Sequence, residues 1–518
     1  MPPLRAAVPT EPGRGHPPAT TLGAASVLAV LYAGLCKGLL FHDLEYVGSD
    51  LFSFLEMSWS WHYAGLWLHD NIYGHHYALH NFNLVPAFSV LTIPFGAYGF
   101  ILGLVLLNAL AAWRVASVAV LDLTGRLAVL AGLLSPVAYF AFDDPYWGFH
   151  PELCYPPLAV LLATELATCR RWRAITAGVL LVLVKEDGAV LCASVLLAHF
   201  ALRLWALRHG PRAQRRRMLA AAFLSLFAVT LVFAAGMVAL ALASRAFEAT
   251  QATSAPRVLD SIRVLARTLT GPGRPFRRLL MKEGLTLYAL MAGLLLVPLG
   301  RRLPRGLLLL LLSSPPLLIV LLISSAGYLF SLMLWSPRVA TLLGLVLACL
   351  VFASAGAGSA SLYRGGARQM TVVVCALIAL SWAFQLPFLK QRGYSPWSRL
   401  DAPALFRGRR YAIAEMPSRE VRFLRCLAGR LPGGLPLTAP EAVRPFFHRQ
   451  SIVRDEFAGN AWHPARFRVV PLEARGSAPP EAPCPGPRVG GLAVQAECDL
   501  VPVVAECAPE ERAVAPGS

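Results

Sequence analysis

Three adjacent ionisable residues, Lys185-Glu186-Asp187, interrupt an otherwise apolar stretch at residues 174–204. Burying such a group in hydrocarbon costs about 3 kcal/mol or more, so at membrane depth it must face a protein interior or a water-filled cavity. The triplet therefore marks either a functional cavity or an internal ion-pair lock. Two other charged groups precede it: Phe149-His150-Pro151-Glu152 at the mouth of an apolar stretch, and the acids from Asp43 to Glu56 just after the first one. Function is expected where the three groups meet.

With 56% hydrophobic and 15% charged residues and a mean hydropathy of +0.56, the chain carries more apolar surface than a soluble domain can bury. The expected fold class is an all-α polytopic membrane protein, with the lipid bilayer as its first partner. Residues 1–20 are polar and rich in Pro and Gly, and are expected to form a disordered cytoplasmic N-terminus. Residues 21–41 are one span long, without an A-x-A cleavage pattern or a lipobox around Cys36, and read as a retained span. Further apolar stretches cover 96–115, 127–142, 151–168, 174–184, 188–204, 219–243, 285–300, 306–323, 339–355 and 371–389, which makes about eleven spans in a membrane domain of 21–390. Residues 83–95, interrupted by Pro86 and Pro94, are too short to cross and read as a re-entrant or interfacial piece.

Cationic residues near span ends set the orientation. With the N-terminus in the cytoplasm, Arg114, Arg126, Arg170, Arg171, Arg173, the run Arg203 to Arg217, Arg301, Arg302, Arg305, Arg364 and Arg368 all fall on the cytoplasmic side. This requires 174–204 to be two short helices meeting at the triplet, because one continuous helix would put Arg173 and Arg208 on opposite sides. The outward loop 244–283 then carries Arg245, Arg257, Arg263, Arg267, Arg274, Arg277, Arg278 and Lys282. That cuts against the orientation: either the topology differs after the triplet, or the loop serves a diphosphate or an anionic lipid head group, or it is a solvated loop beside anionic lipid.

The first outward segment, 42–82, combines acids with aromatics. Residues 50–61, Asp-Leu-Phe-Ser-Phe-Leu-Glu-Met-Ser-Trp-Ser-Trp, read as a helix lying in the interface, with Ser49 or Asp50 able to cap it. Asp43-x-Glu45 has the spacing of a carboxylate pair for Mg²⁺ or Mn²⁺, although metal-independent chemistry fits equally. His75, His76 and His80 include an i, i+4 pair that would suit zinc on a helix, but no third ligand follows, and interfacial histidines are the other reading.

Asp50-Leu51 with Trp59, His80 before a Pro-containing apolar run, Phe149-His150-Pro151-Glu152 and Lys185-Glu186-Asp187 together resemble a family. It is the bacterial membrane-protein family with domain of unknown function 2079, grouped with the GT-C glycosyltransferase clan. The resemblance covers about residues 41–389, with Glu56 where the family has Gln and Leu334-Trp335-Ser336-Pro337-Arg338 where it has a His-Tyr-rich stretch. It implies a GT-C-like fold, a catalytic acid in the first outward loop and a sugar donor carried on a polyprenyl phosphate, acting on a cell-envelope acceptor. On that basis Asp50 is the expected base, with His150, Glu152, Lys185 and Glu186 in the catalytic set. Asp187, His80, Trp59, Arg274, Arg277 and Arg278 would bind substrate or phosphate, and Asp43 and Glu45 would hold any metal. A transporter or flippase for a lipid-linked or anionic solute would use the same charges to line a path, and a noncatalytic envelope protein would use them as helix locks.

After residue 389 the chain becomes Pro/Arg-rich. Residues 391–475 are expected to form a small extracytoplasmic module, α/β or irregular, with 437–443 extended, and 476–518 a flexible tail. Cys426, Cys484, Cys498 and Cys507 form an even set that allows two disulfides in three pairings. The formal charge of +18 does not indicate nucleic acid, because its cations are scattered over span ends and loops rather than gathered in an aromatic-interleaved patch. One-sided reporters fused after Asp187 and after Leu389 should read outside the cytoplasm, and a reporter within 208–217 should read inside. A 208–217 reporter active outside would refute the hairpin and the shared compartment.

Overall fold

The computed structural model describes residues 19–42, 49–71, 74–75, 80–118, 120–121, 123–134, 149–246, 303–316, 337–355, 416–453, 464–471, 484–489 and 492–508. The expected spans at 285–300 and 371–389 lie outside them. The described residues are mostly helical, and three of their helices are long and apolar enough to cross a membrane: Ala97–Ser117, Glu186–Ala206 and Arg212–Ala243.

The bundle is built around one fully enclosed helix. A 3-10 turn, Pro151–Cys154, leads into α6 (Tyr155–Ala167), whose residues from Tyr155 to Glu165 are all buried. Pro156 and Pro157 sit in its first turn, where a missing N–H costs nothing. Around it pack α4 (Ala97–Ser117), α7 (Arg171–Val184), α8 (Glu186–Ala206) and α11 (Pro337–Ser354). Further out lie α1 (Ala19–His42) on α4, α5 (Leu123–Leu133) and α10 (Leu303–Ser313) on α11, and α9 (Arg212–Ala246) on α8. Small residues set the crossings: Gly34 meets Val105, Gly132 meets Leu347 and Gly344 meets Tyr155 and Ala159. Where lipid removes the hydrophobic drive between helices, such close approach gives the packing contacts that hold them.

The stretch 174–204 is two helices. Lys185 is extended, with φ −168° and ψ 170°, and α7 ends before it while α8 begins after it. The halves fold back on each other: Gly178 faces Cys192, Gly188 lies against the Leu181 carbonyl, and at the open end Arg203 reaches the Cys169 sulfur at 3.1 Å. A Cβ at Gly188 would strike the Leu181 carbonyl, so only glycine permits this closure. Glu186 and Asp187 occupy the first turn of α8, where the helix dipole favours acids.

The contacts sort the bundle into two ends. Arg114 at the end of α4 binds Glu165 near the end of α6, at 2.5 and 3.2 Å. Arg126 donates to the Ala116 and Leu121 carbonyls, and Arg170, Arg171, Arg173, Arg203 and the start of α9 share that end. The hairpin vertex and the start of α4 lie at the other. At 35 residues α9 is about 52 Å long, more than a ~30 Å hydrocarbon core requires, and its first turns carry Arg212, Arg215, Arg216 and Arg217.

Two segments cap the vertex end. Helix α2 (Ser49–Tyr63) runs to Gly65 at φ +67°, where Leu66 N–H donates to the Ser60 carbonyl and closes the helix. Its apolar side chains do not form an outward-facing surface as expected. Every residue from Leu51 to Ser60 is buried, because the aromatic and aliphatic side chains that looked suited to lipid pack against protein on all sides. Residues 83–95 form a 3-10 turn (Val85–Phe88) and the short α3 (Ser89–Phe95).

The second cap is the C-terminal module. Beside the two-residue antiparallel pair β1 (His69–Asp70) and β2 (Gly74–His75), a five-stranded mixed sheet has the order β4-β3-β5-β7-β6, with β3 (Pro436–Thr438), β4 (Ser451–Ile452), β5 (Phe467–Pro471), β6 (Cys484–Val489) and β7 (Leu492–Ala496). Against it lie α12 (Ser418–Arg430), burying Phe423, Leu424 and Leu427 at helical spacing, and α13 (Val501–Cys507). Disulfides join Cys426 to Cys507 and Cys484 to Cys498. Two expectations are corrected. Residues 484–508 are strands and a helix tied into the module, so it does not end at 475 before a flexible tail. The Pro- and Gly-rich sequence hid strands that the cross-strand pairing of β6 with β7 supplies. Residues 437–443 are extended only to Thr438, since Pro440 opens a 3-10 turn, Glu441–Phe447. The last ten residues lie outside the described ones.

The module docks on the bundle through His448. Its Nδ1 accepts from Ala97 N–H at 3.3 Å, and its ring meets Phe41 and Tyr98 edge-on at 5.4 and 5.3 Å. Gly96, at φ +57°, passes under that ring where no Cβ would fit. Burial and the neighbouring Arg449 push the His448 pKa from 6.5 down to about 4, so protonating it opposes docking. Its contribution is complete above pH 6.5 and is lost as pH falls toward 4. Hydrogen exchange across 416–453, corrected for intrinsic rates, should therefore accelerate between pH 7 and pH 5 more in the native chain than in a His448→Gln variant. Equal pH dependence in the two would refute the assignment.

Candidate functional site

The structure brings the second and third charged groups into direct contact. Pro151 forces His150 into an extended conformation, φ −134° and ψ 134°, which presents its ring beside the 3-10 turn carrying Glu152. The fully buried Glu152 carboxylate is shared: Oε1 accepts from Lys185 Nζ at 3.0 Å and Oε2 pairs with His150 Nδ1 at 3.1 Å. Lys185 also lies 5.4 Å from the centre of the Phe82 ring, a cation–π contact.

A second pair extends the cluster outward. His80 Nδ1 meets Glu186 Oε1 at 2.7 Å, and Asn81 N–H reaches Glu186 Oε2 at 3.4 Å. Asp187 accepts from the Tyr155 hydroxyl at the head of α6. The side chains grade from surface to interior: His80 is 42% exposed and Glu186 18%, against 9% for His150 and 1% for Glu152.

Aromatic rings wall the inner pair. Phe54 of α2 stands edge-on to His150 at 5.1 Å, to Phe82 at 5.1 Å and to Phe149 at 6.1 Å. Phe149 stacks on Phe100 at 4.2 Å with Phe88 alongside at 5.8 Å. Such an apolar wall strengthens each ion pair and makes an unpaired member costly. The cluster holds one lysine and three carboxylates, so unless its histidines carry protons it has an excess of negative charge and attracts cationic rather than anionic groups.

Of the other expected site residues, Asp50 lies in the first turn of α2, one turn before Phe54, and its side chain is outside the described ones. Trp59 is buried within α2, with Tyr63 as its ring partner at 6.0 Å and its Nε1 without a hydrogen-bond acceptor among the described residues. Asp43, Glu45, Arg274, Arg277 and Arg278 lie outside the described residues. No group of three or more metal-ligating side chains occurs among the described residues.

Sequence reasoning missed a second buried polar cluster, where α2 meets the module. Glu56 is fully enclosed and accepts three hydrogen bonds: Oε2 from Asn71 N–H at 2.6 Å, Oε1 from Ser451 Oγ at 3.1 Å and from Ile452 N–H at 2.7 Å. Asn71 also donates to the Ser451 hydroxyl, and Ser53 donates to Asp70 at 2.9 Å. Burial, with the Asp70 charge nearby, raises the Glu56 pKa well above 4.5 despite these donors. His69 and His75, ring to ring at 4.9 Å, are held neutral, burial taking His69 from 6.5 down to about 4. An acid in the middle of an aromatic-rich helix was the available signal. Its partner Ser451, 395 residues away, was not visible in the sequence.

Removing one member of the inner pair should destabilise strongly. Lys185→Met leaves Glu152 buried without its cation and should cost about 3–5 kcal/mol. Adding Glu152→Gln should recover most of that loss in thermal unfolding in detergent. A double variant no more stable than the single one would show that the two residues do not act as a pair.

No family model, curated protein or solved structure matches this chain.

Proposed function

We propose that this chain is a polytopic membrane protein of about eleven spans with a GT-C-like architecture, which transfers a sugar from a polyprenyl-phosphate donor to a cell-envelope acceptor. One observation carries the reading: the broken hairpin holds a carboxylate-rich cluster, graded from surface to interior, at the same end of the bundle as α2, whose first turn carries Asp50, and as the disulfide-bonded module. Disulfides form in an oxidising compartment, and the arginine-rich end is then cytoplasmic. Cys169, exposed and unpaired at that arginine-rich end, fits the same orientation.

Sugar transfer needs a base for the acceptor hydroxyl, stabilisation of positive charge on the sugar and neutralisation of the departing phosphate. Asp50 at the start of α2 is the base. Glu152 and Glu186, in surplus over Lys185, oppose the positive charge that develops on the sugar. Lys185, committed to Glu152, positions that carboxylate, while His80 and His150 orient the two carboxylates. Phosphate binding falls to arginines 274, 277 and 278 of the outward loop. If a divalent metal takes part, Asp43 and Glu45 hold it.

A second reading is favoured by the graded arrangement of the pairs. His80–Glu186, Lys185 and Glu152–His150 form a series of proton-exchanging groups from surface to interior, as in a proton-coupled transporter.

Purified protein in proteoliposomes containing undecaprenyl-phosphate hexoses, supplied with cell-envelope acceptor material, should release undecaprenyl phosphate as the hexose passes to an acceptor hydroxyl, both products being read by mass spectrometry. Asp50→Asn should lower that release by about 100-fold or more. Full release from Asp50→Asn would remove Asp50 as the base. No release from the native chain with any hexose, together with solute-driven proton movement lost in Glu186→Gln, would favour the transporter.

A further inference from the structure

Where the module meets the bundle, a cleft of about 210 Å³ lies between the end of α1, the start of α4, α12 and the turn before β4. Arg425 and Arg449 line it, together with His42 and His448 and the aromatic rings of Phe41, Tyr98 and Phe446. No carboxylate lines it among the described residues, and neither arginine forms an ion pair with a described residue. Arg425 instead donates to His42 Nε2 at 3.3 Å, a neutral acceptor whose Nδ1 meets the Tyr98 hydroxyl at 3.4 Å. With Nδ1 of His448 accepting from Ala97, its Nε2–H remains the donor.

We infer that this cleft binds a phosphate-bearing anionic group, a monoester or a diester. Two solvent-exposed guanidiniums converge on the cleft with only a weak neutral partner, an arrangement that an oxyanion completes, and Arg matches phosphate oxygens in pairs. The position favours such a ligand as well. The cleft opens where α1 ends and α4 begins, the level at which head groups lie when those helices span a bilayer, and aromatic rings are the usual neighbours of that zone. The ligand is either the head group of an anionic lipid or phosphate from solution. The cleft shares no side chain with the Lys185 cluster, so it stands or falls apart from the transfer reaction proposed above.

The test compares the native chain with an Arg425→Gln/Arg449→Gln variant using two probes: inorganic phosphate added to protein in detergent, and phosphatidylglycerol in phosphatidylcholine nanodiscs. Thermal unfolding and native mass spectrometry report binding. Protection by phosphatidylglycerol alone assigns the site to a lipid head group, and protection by inorganic phosphate assigns it to a soluble ligand. Either supports the inference when the variant binds at least about tenfold more weakly, the loss of one charged hydrogen-bonded contact. Absence of protection by both probes, or unchanged affinity in the variant, overturns it. Should the glutamine variant fail to form both disulfides, Arg425→Lys/Arg449→Lys decides. Weakening by about threefold or more, from loss of paired contacts, supports the site, and unchanged affinity overturns it.

Discussion

The Lys185–Glu152 ion pair is the interaction on which the bundle turns. It joins the vertex of the α7–α8 hairpin to the turn that starts α6, the enclosed helix around which α4, α7, α8 and α11 pack. Neither residue is tolerable there alone, since aromatic rings exclude the water that would solvate a single charge. Pairing lets the chain break inside the protein, and the break turns one apolar stretch into two helices whose arginine ends lie together.

The same pairing limits what the cluster can do. A lysine held by a carboxylate and stacked on a ring is a poor phosphate ligand, whereas carboxylates in surplus suit a substrate that becomes positive. The electrostatic division of labour follows: cation-stabilising groups sit inside the bundle, and anion-binding groups sit at its rim, where Arg425 and Arg449 are.

Much of this was legible in the chain. The triplet announced the break because three adjacent charges in the middle of a largely apolar stretch of 31 residues have few places to go, and Phe149-His150-Pro151-Glu152 announced the turn because Pro151 fixes the residue before it. The burial of α2 was not legible, since a helix rich in aromatic residues looks the same facing lipid or protein. Strands β6 and β7 escaped notice because their sequence is turn-like, and they exist through pairing and disulfides. Nor could the sequence reveal that Glu56 waits for Ser451 and Ile452, because no local pattern encodes contacts that distant.

That distance has a consequence for biosynthesis. Helix α2 is among the first segments made, but the groups that satisfy Glu56 follow 395 residues later. At about 5–20 residues per second the ribosome needs roughly 20–80 s to supply them. During that interval the carboxylate has only its local donor Asn71, and the cover over the vertex end is missing. The module that covers α2 emerges long after it, so a chain interrupted before residue 451 would leave the bundle helices made and their polar seam open.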